Sequence, residues 1–376
     1  MQASAFVKAL GASFFTGVPD SLLRPLCDEL MATYGVDPRH HVIAANEGNC
    51  AALAAGYYLS TGKAAVVYMQ NSGEGNAINP MASLLHPFVY GIPVIFVIGW
   101  RGEPGVKDEP QHVAQGEITG KLLDVLGISY TVINEDTQPE DVRRVMKTYR
   151  EEMEQGQSVA FVVRKQALIR EKKETYKNQH TLLREAVIEA VTQASGDDPI
   201  VSTTGKASRE LFEIRVRHEQ DRSLDFLTVG SMGHASSIAM GIAAQKPHTR
   251  VWCLDGDGAA IMHMGAMGVI GGSGIRNLVH VVIDNAAHET VGGLPTVSNR
   301  IHLARIAEDC GYEVCAEVFT MEELKEQLEK IRTAKQPALT FLQVHCALGS
   351  RGDLGRPTTT PMENRDAFMA HLKEKT

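Results

Sequence analysis

Leu254-Asp255-Gly256-Asp257-Gly258 is the stretch that decides the fold of the second half of the chain. The apolar run 250–254 predicts a buried strand that ends at this stretch, and the small residues 259–268 beyond it predict a helix. A second apolar run, 278–283, predicts the neighbouring parallel strand and is soon followed by Asn285. Because the carboxyl ends of parallel strands lie at one edge of a sheet, we expect Asp257 and Asn285 to converge there.

Asp257 and Asn285 offer the hard oxygen ligands that Mg²⁺ prefers. Mg²⁺ takes about six oxygens and is usually held by one or two carboxylates together with phosphates and water. Gly256 and Gly258 allow the backbone to approach a phosphate closely, and a helix start directs N–H groups towards it. The sequence therefore predicts a magnesium diphosphate site, with a plain turn at Gly-Asp-Gly as the alternative.

The spacing of these residues resembles the signature of the thiamine diphosphate enzymes, Gly-Asp-Gly followed some two dozen residues later by Asn. The resemblance implies thiamine diphosphate and Mg²⁺ as cofactors, with Asp257, Asn285 and the main-chain carbonyl of Ala287 as metal ligands. The implied diphosphate contacts in this stretch are Gly256, Asp257, Gly258 and Ala259. The pair Asp284-Asn285 stands where the family commonly has Asn-Asn, which leaves the role of Asp284 open.

Glu47 is the activating acid that the resemblance implies, since the family uses a carboxylic acid against the pyrimidine ring of the cofactor. The apolar run 42–45 precedes it and an alanine-rich helix follows, so we expect Glu47 at a strand-to-helix junction with few charged neighbours. Burial there would raise its pKa. An ordinary first-turn glutamate favoured by the helix dipole is the alternative.

Gly230 and Met232 lie between the predicted strand 225–229 and a helix of small residues. By resemblance, the Gly230 carbonyl accepts a hydrogen bond from the cofactor's amino group and Met232 holds the cofactor bent. A simple core position for this methionine is the alternative. Gly205 and Lys206, in the loop after the first predicted strand of this half, are further candidate cofactor contacts.

Alternating strands and helices in both halves predict an α/β fold of two doubly wound parallel-sheet domains. By resemblance, residues 1–165 form a pyrimidine-binding domain, 166–180 a charged linker and 181–376 a diphosphate-binding domain, without the middle domain of larger family members. In this family the two domain types meet across a subunit interface. The resemblance therefore implies a homodimer or higher homo-oligomer with active sites between subunits.

Composition restricts the partners and the compartment. A net charge of −8 argues against nucleic acid as the main partner, because phosphate-backbone binders concentrate positive charge. The six cysteines form no Cys-x-x-Cys pair and are interpreted as reduced thiols. The sequence has neither an apolar run of about 18–20 residues nor a signal-peptide pattern, so we expect no membrane association and a cytoplasmic location.

Loops that follow predicted strands carry the candidate substrate ligands and acids. The candidate substrate-binding residues are Ser21, Arg101, Lys107, Gln111, Arg351 and Arg356. Each cation could instead be a solvated surface charge. The candidate proton donors are His112, which is the first choice, Asp20, and His288, for which a structural hydrogen bond is the alternative.

These loops resemble those of family members that decarboxylate a small anionic 2-oxo acid, and the resemblance covers essentially the whole chain. It implies conversion of 3-phosphonopyruvate to phosphonoacetaldehyde and CO₂ in phosphonate biosynthesis. Sulfopyruvate decarboxylation and an acetolactate-forming ligation are alternatives within the same cofactor class. A non-catalytic diphosphate-binding module is the alternative from another class, and Glu47 argues against it because such a module has no use for an acid opposite the ring.

Overall fold

The computed structural model describes residues 1–374. The chain divides into two compact units, Met1–Thr175 and the part from Tyr176 onward. Within the described residues, each unit contains a six-stranded parallel sheet with surrounding helices, which confirms the predicted α/β fold. The last two residues of the domain predicted over 181–376 lie outside the described part.

Unit 1 alternates strands and helices. Its strands are β1 (Phe15–Gly17), β2 (His41–Ile43), β3 (Ala65–Gln70), β4 (Val94–Gly99), β5 (Ser129–Ile133) and β6 (Val159–Val163). Its helices are α1 (Ala3–Leu10), α2 (Arg24–Tyr34), α3 (Glu47–Thr61), α4 (Glu74–Pro80), α5 (Pro110–Val125) and α6 (Pro139–Glu154). The strand order is β2-β1-β3-β4-β6-β5.

The order of the strands in unit 1 creates a crevice at its carboxyl edge. The chain leaves β1 towards β2 on one side and later returns to β3 on the other, and ligands of open α/β sheets bind where the order reverses in this way. At the end of β1, a Cβ on Gly17 would lie 2.3 Å from the main-chain oxygen of Tyr68 on β3. Only glycine fits this approach, which lets the loops after β1 and β3 lie together.

Unit 2 repeats the architecture. Its strands are β7 (Ile200–Ser202), β8 (Asp225–Leu227), β9 (Val251–Gly256), β10 (Leu278–Asp284), β11 (Ala287–His288), β12 (Leu294–Pro295), β13 (Val314–Val318) and β14 (Thr340–His345). Its helices are α7 (Arg184–Ser195), α8 (Lys206–Arg217), α9 (Ala235–Gln245), α10 (Asp257–Met262), α11 (Gly265–Gly272), α12 (Leu303–Asp309), α13 (Met321–Thr333) and α14 (Pro361–Glu374). The main sheet has the order β13-β14-β10-β9-β7-β8, and β11 pairs with β12.

Strands β9 and β10 are adjacent and parallel, as predicted, and Ile283 pairs with Gly256 at their carboxyl ends. The single helix predicted over 259–268 is wrong, because α10 ends at Met262 and α11 begins at Gly265. Glycine has a low helix propensity, and the segment after the break holds several glycines. The break leaves a short helix that starts at Asp257, at the edge of the sheet.

The helices of the described part, residues 1–374, include none that combines the length and the apolar character needed to cross a bilayer.

Candidate active site

The carboxylate of Asp257 lies at the carboxyl edge of the unit 2 sheet and is only 3% exposed. It accepts hydrogen bonds from Thr296 Oγ1 at 2.5 Å and from Ser298 Oγ at 3.2 Å. Burial and then the nearby carboxylate of Asp284 raise its pKa well above the ordinary value of an aspartate. A divalent cation would offset both effects, so these surroundings fit the metal role predicted for Asp257.

Asn285 follows the end of β10, next to strand β9, which leads to Asp257. Its Oδ1 accepts a hydrogen bond from the Ala287 N–H at 3.1 Å, and its Nδ2 donates to Glu289 Oε2 at 2.8 Å. Ala286, between Asn285 and Ala287, adopts a left-handed conformation, with φ of 57°. The turn therefore holds the predicted ligands Asn285 and Ala287 in one compact loop.

Asp284, whose role the sequence left open, has its carboxylate engaged by three groups. Its Oδ1 accepts from the Ala286 N–H at 2.9 Å and lies 2.8 Å from Ser298 Oγ, while its Oδ2 accepts from Gln343 Nε2 at 2.8 Å. Ser298 thus lies within hydrogen-bond distance of both Asp257 and Asp284. We infer that Asp284 positions the turn beside the metal site.

Thr296 and Ser298 are site residues that the sequence did not reveal. They follow β12 and lie 39 and 41 positions along the chain from Asp257. Hydroxyl residues are common in loops, and no local spacing marks these two. Only the folded chain shows that they hold the buried carboxylate.

The loop that carries Met232 has an unusual backbone. Gly230, Ser231 and Gly233 all have left-handed φ values, of 73°, 46° and 86°. The Gly230 N–H donates to Thr204 Oγ1 at 3.1 Å, and a Cβ on Gly233 would lie 2.4 Å from His263 Nδ1. Ser231 is the non-glycine residue among the three and is therefore strained, and strained residues gather at ligand sites. Met232 therefore lies between Gly230, which is hydrogen-bonded to Thr204, and Gly233, which lies close to the His263 ring. These two contacts define the position of its half-buried side chain.

Gly258, which belongs to the predicted diphosphate stretch, lies close to the loop that carries Met232. A Cβ on Gly258 would lie 3.1 Å from His288 Cε1 and 3.4 Å from Met232 Cε, whereas one on Gly256 would meet nothing within 4 Å. The structure therefore brings Met232 and His288 together around a bare backbone, with Ala259 buried next to it. Burial lowers the pKa of His288 to about 4, so this imidazole is neutral at neutral pH. An open backbone beside a buried carboxylate fits a magnesium-bound diphosphate.

Gly205 and Lys206 lie at the start of α8. Gly205 has a φ of 97°, which favours glycine, and a Cβ there would lie 3.3 Å from Thr290 Cγ2. Lys206 Nζ lies 2.7 Å from Glu289 Oε1, and the same carboxylate accepts from Arg184 and Asn285. Lys206 therefore belongs to an ion-pair network around Glu289 that also holds the side chain of Asn285.

In unit 1, Glu47 is the first residue of α3 and is 5% exposed. Asn46 caps the helix by accepting from the Gly48 N–H at 2.7 Å, so Glu47 is not needed for capping. Its Oε2 accepts from Asn76 Nδ2 at 2.7 Å, and a Cβ on Gly73 would lie 2.4 Å from its Oε1. Burial raises the pKa of Glu47, as predicted for an acid that works in its neutral form.

Asp20 and Ser21 follow β1 in the crevice of unit 1. The fully buried Asp20 accepts from Gln70 Nε2 at 2.6 Å and from the N–H groups of Leu22 and Leu23 at 3.0 and 3.2 Å. Burial raises its pKa. Arg101 Nη1 donates to Ser21 Oγ at 3.1 Å. The structure thus joins two loops that the sequence identified separately.

Arg101, Gln111 and His112 belong to the loop after β4 and the start of α5. The guanidinium of Arg101 donates to both carboxylate oxygens of Asp108, at 2.8 and 2.5 Å. Burial first and Arg101 second lower the pKa of His112 to about 4, so its imidazole is neutral at neutral pH. His112 is therefore better suited to relaying a proton than to donating one as an imidazolium. Gln111 Oε1 and His112 Nδ1 are buried without a hydrogen-bond partner among residues 1–374.

A cavity of about 510 Å³ in unit 1 collects several of these side chains. It is lined by six cationic side chains and three acidic ones. The cations are Arg24, Arg101, Lys107, Lys165, Arg170 and Lys173, and the acids are Asp28, Glu103 and Asp108. Ser21 also lines the cavity. The excess of positive charge makes it suitable for a small anion.

Arg351 and Arg356, the remaining candidate substrate ligands, belong to unit 2. Arg351 forms ion pairs with Glu185, Glu213 and Asp353, which neutralise its charge. Arg356 is exposed in the segment that follows β14. The ion pairs of Arg351 join it to α7, to α8 and to its own loop.

Matches with known families agree with this arrangement of residues. Residues 3–124 match the thiamine pyrophosphate enzyme N-terminal TPP binding domain, and residues 203–342 match the C-terminal TPP binding domain. The first match contains Glu47, and the second contains Asp257 and Asn285. The chain belongs to the thiamine pyrophosphate enzyme family, and thiamine diphosphate is its cofactor, as predicted.

Within this family the chain is similar to named decarboxylases. It is 33% identical to phosphonopyruvate decarboxylase of Streptomyces viridochromogenes, over 98% of this chain and 93% of that protein. It is 28% identical to sulfopyruvate decarboxylase of Methanosarcina acetivorans, over 88% and 87% of the two chains. It is also 28% identical to the sulfopyruvate decarboxylase subunit beta of Methanococcus maripaludis, over 51% of this chain and 99% of that subunit. The predicted reaction class, thiamine diphosphate-dependent decarboxylation, is confirmed.

Replacement of Asp257 by Ala is expected to weaken Mg²⁺ and cofactor binding by at least about 100-fold, because even partners of metal ligands are worth about 10–100-fold. Titration calorimetry of the purified protein with thiamine diphosphate and Mg²⁺ measures the change. Asp309→Ala, an exposed position on α12, is the matched control. Unchanged cofactor affinity in Asp257→Ala would contradict the metal role.

Replacement of Glu47 by Gln is expected to reduce kcat by about 10²–10⁴-fold, the range of positioned acid–base groups, while cofactor affinity stays within a few-fold of the native value. The isosteric amide keeps the packing against Gly73 but removes the acid. Steady-state CO₂ release and calorimetry measure the two quantities, with Glu151→Gln on α6 as the control. Full turnover in Glu47→Gln would refute the assignment.

Proposed function

We propose that this protein is a cytoplasmic decarboxylase that converts 3-phosphonopyruvate to phosphonoacetaldehyde and CO₂ in phosphonate biosynthesis, with thiamine diphosphate and Mg²⁺. The observation that carries the proposal is the similarity to phosphonopyruvate decarboxylase along nearly the full length of both chains. The six cysteines, none of which forms a disulfide, suit a reducing compartment.

The site residues divide the work between binding and proton transfer. Thiamine diphosphate, when bound, supplies the electron sink that makes loss of CO₂ from a 2-oxo acid possible. Asp257, Asn285 and the Ala287 carbonyl hold the metal in this proposal, and Met232 supports the cofactor. Glu47 donates a hydrogen bond to the pyrimidine ring in its neutral form.

The neutral imidazole of His112 relays a proton in this proposal, with Asp20 as a second candidate. Both side chains are buried in unit 1, and burial keeps each nearer its neutral form at a given pH. A neutral imidazole can accept a proton at one ring nitrogen and release one from the other, and a protonated carboxyl can donate its proton and then be reprotonated, so neither group keeps a buried charge after the transfer. This favours these two over an exposed side chain as the proton carrier.

The charge of the unit 1 cavity supports a phosphonate as the group that distinguishes the substrate. Arg101 is oriented by its bidentate ion pair with Asp108 and its hydrogen bond to Ser21, so its position in the cavity is defined. Lys107 also lines the cavity and forms no ion pair with any residue of the described chain. A dianionic phosphonate would draw more from such cations than a monoanionic sulfonate or an uncharged methyl group. Arg351 is left out of this substrate site because it does not line the cavity.

A substrate panel with a charge-deleted variant tests this proposal. The native enzyme is expected to release CO₂ from 3-phosphonopyruvate with a kcat/KM at least about tenfold higher than from sulfopyruvate or pyruvate, a difference of about 1.4 kcal/mol. Lys107→Met is expected to raise KM for 3-phosphonopyruvate several-fold with little change in kcat, whereas Lys121→Met on the exposed side of α5 leaves both unchanged. A preference for sulfopyruvate would show that the assigned substrate is wrong. Failure to release CO₂ from any of the three compounds would contradict the proposed decarboxylation.

We further propose a homodimer or higher homo-oligomer whose active sites lie between subunits. Unit 1 exposes large apolar side chains on α3, on α4 and in the segment after α4, and exposed apolar patches of this kind mark interaction surfaces. They are Leu53, Leu59, Ile78, Phe88, Val89 and Tyr90. Phe88 is 94% exposed and Leu59 is 75% exposed, values that favour burial in an assembly. A relative that is itself named as a subunit agrees with this.

Sedimentation analysis tests the assembly. The native protein is expected to sediment at twice the mass of one chain or more, and the double variant Leu59→Glu/Phe88→Glu to shift towards the monomer and lose activity while circular dichroism stays unchanged. Val125→Glu, which changes an equally exposed apolar residue on α5, serves as the control. A fully active monomer would contradict the proposed shared site.

A further inference from the structure

A second group of metal-ligating side chains lies inside unit 2, apart from the residues assigned to Mg²⁺. Cys253 and Asp255 on β9 and His280 on β10 place one ligand atom each within 4.8 Å of one another. All three side chains are buried, with 0%, 0% and 1% exposure. Nothing in the proposed decarboxylation uses them.

The register of the sheet explains why these side chains meet. Cys253 and Asp255 are two positions apart on β9, so they point to the same face of the sheet. His280 is the parallel partner of Cys253 on β10 and shares that face. The apolar core side chains Trp252 and Leu254 alternate with them and point to the opposite face. The juxtaposition is therefore set by the backbone pairing.

The atoms that face one another inside the group lack hydrogen-bond partners. Asp255 Oδ2 and His280 Nε2 are buried, lie 3.4 Å apart and make no hydrogen bond of acceptable geometry with any residue from 1 to 374. Unpaired buried polar atoms are rare and call for an explanation such as a missing ion. Both atoms belong to the group whose ligand atoms lie within 4.8 Å of one another, so one shared ion could satisfy them together with the thiol of Cys253.

The outer atoms of the same two side chains are held by neighbours. Asp255 Oδ1 accepts from the Gly256 N–H at 2.9 Å, and His280 Nδ1 lies 3.3 Å from the Tyr312 hydroxyl. Metal-ligating histidines and carboxylates are usually oriented in this way through the atom that does not bind the metal. The arrangement leaves one oxygen, one nitrogen and one sulfur free to converge.

We propose that Cys253, Asp255 and His280 bind a zinc-type transition-metal dication that stabilises the fold of unit 2. Zinc accepts thiolate, imidazole and carboxylate ligands together, whereas Mg²⁺ prefers oxygen alone. One thiolate and one carboxylate balance the two positive charges, so the occupied site is neutral in the buried environment. Binding releases the thiol proton of Cys253 to solvent, and a water molecule takes the fourth tetrahedral position.

The distances are compatible with this geometry. Bonds of about 2.0–2.3 Å to a tetrahedral zinc ion separate the ligand atoms by about 3.3–3.8 Å. The pair Asp255 Oδ2 and His280 Nε2 already lies in this range. A side-chain adjustment of about 1 Å brings all three atoms into it from their present limit of 4.8 Å.

The ion would join the two strands, β9 and β10, that lead to the proposed Mg²⁺ ligands. Asp257 lies two residues after Asp255, and Asn285 lies five residues after His280. A cross-link between β9 and β10 therefore steadies the edge of the sheet where both ligands project. The site itself does not depend on the proposed decarboxylation, since its residues and its ion are different.

Metal analysis of the full-length protein tests the inference. Protein produced with Co²⁺ in place of Zn²⁺ and then treated with EDTA at native pH is expected to keep about one Co²⁺ per chain. It should also show the near-ultraviolet charge-transfer absorption of a cobalt–thiolate bond. Cys253→Ser and His280→Gln should lose the absorption and most of the metal. Cys27→Ser removes a buried thiol from unit 1 and should change neither.

The variant Asp257→Ala separates this inference from the proposed function. It is expected to lose Mg²⁺-dependent cofactor binding but to keep the cobalt–thiolate absorption. If native protein retains no stoichiometric Co²⁺ or Zn²⁺, or if the absorption persists in folded Cys253→Ser, the inference is wrong. Should Cys253→Ser not fold, the metal content of the native protein and of His280→Gln decides the matter.

Discussion

The parallel pairing of β9 with β10 is the constraint on which the candidate diphosphate half-site depends. The pairing ends both strands at one edge, so two ligands separated by 27 residues of chain project from neighbouring strand tips. The edge then has to accommodate the buried carboxylates of Asp257 and Asp284, and Ser298 lies between them. Their mutual repulsion in a dry environment makes the apoprotein edge a natural position for a divalent cation.

The buried strands and the residues at their ends were predictable, and one edge strand of each sheet was not. Strands such as β4 and β9 are continuous apolar runs buried on both faces, a pattern that a sequence reveals directly. Strands β5 and β13, which the sequence did not indicate, lie at the edges of the two sheets, and each has only one buried residue among its five. Thr296 and Ser298 escaped for another reason, since their contact with Asp257 is purely tertiary.

The types of charged residues indicated an anionic substrate, but only geometry distinguished one arginine from another. Arg101 and Arg351 both follow strands and look equivalent in the sequence. In the folded chain, Arg101 lines a cavity with an excess of cations, whereas Arg351 is enclosed by three carboxylates. His112 shows the same limit: its position in a charged loop suggested an acid, and burial makes it neutral.

The left-handed conformation of Ser231 has a consequence for the affinity of the cofactor. A non-glycine residue in this region is strained by about 1–3 kcal/mol, and the strain exists in the free protein. The loop that carries Met232 is therefore preorganised, and little conformational entropy remains to be lost when a ligand arrives. The free-energy cost of the strained loop conformation therefore arises when the protein folds, and not when the cofactor binds.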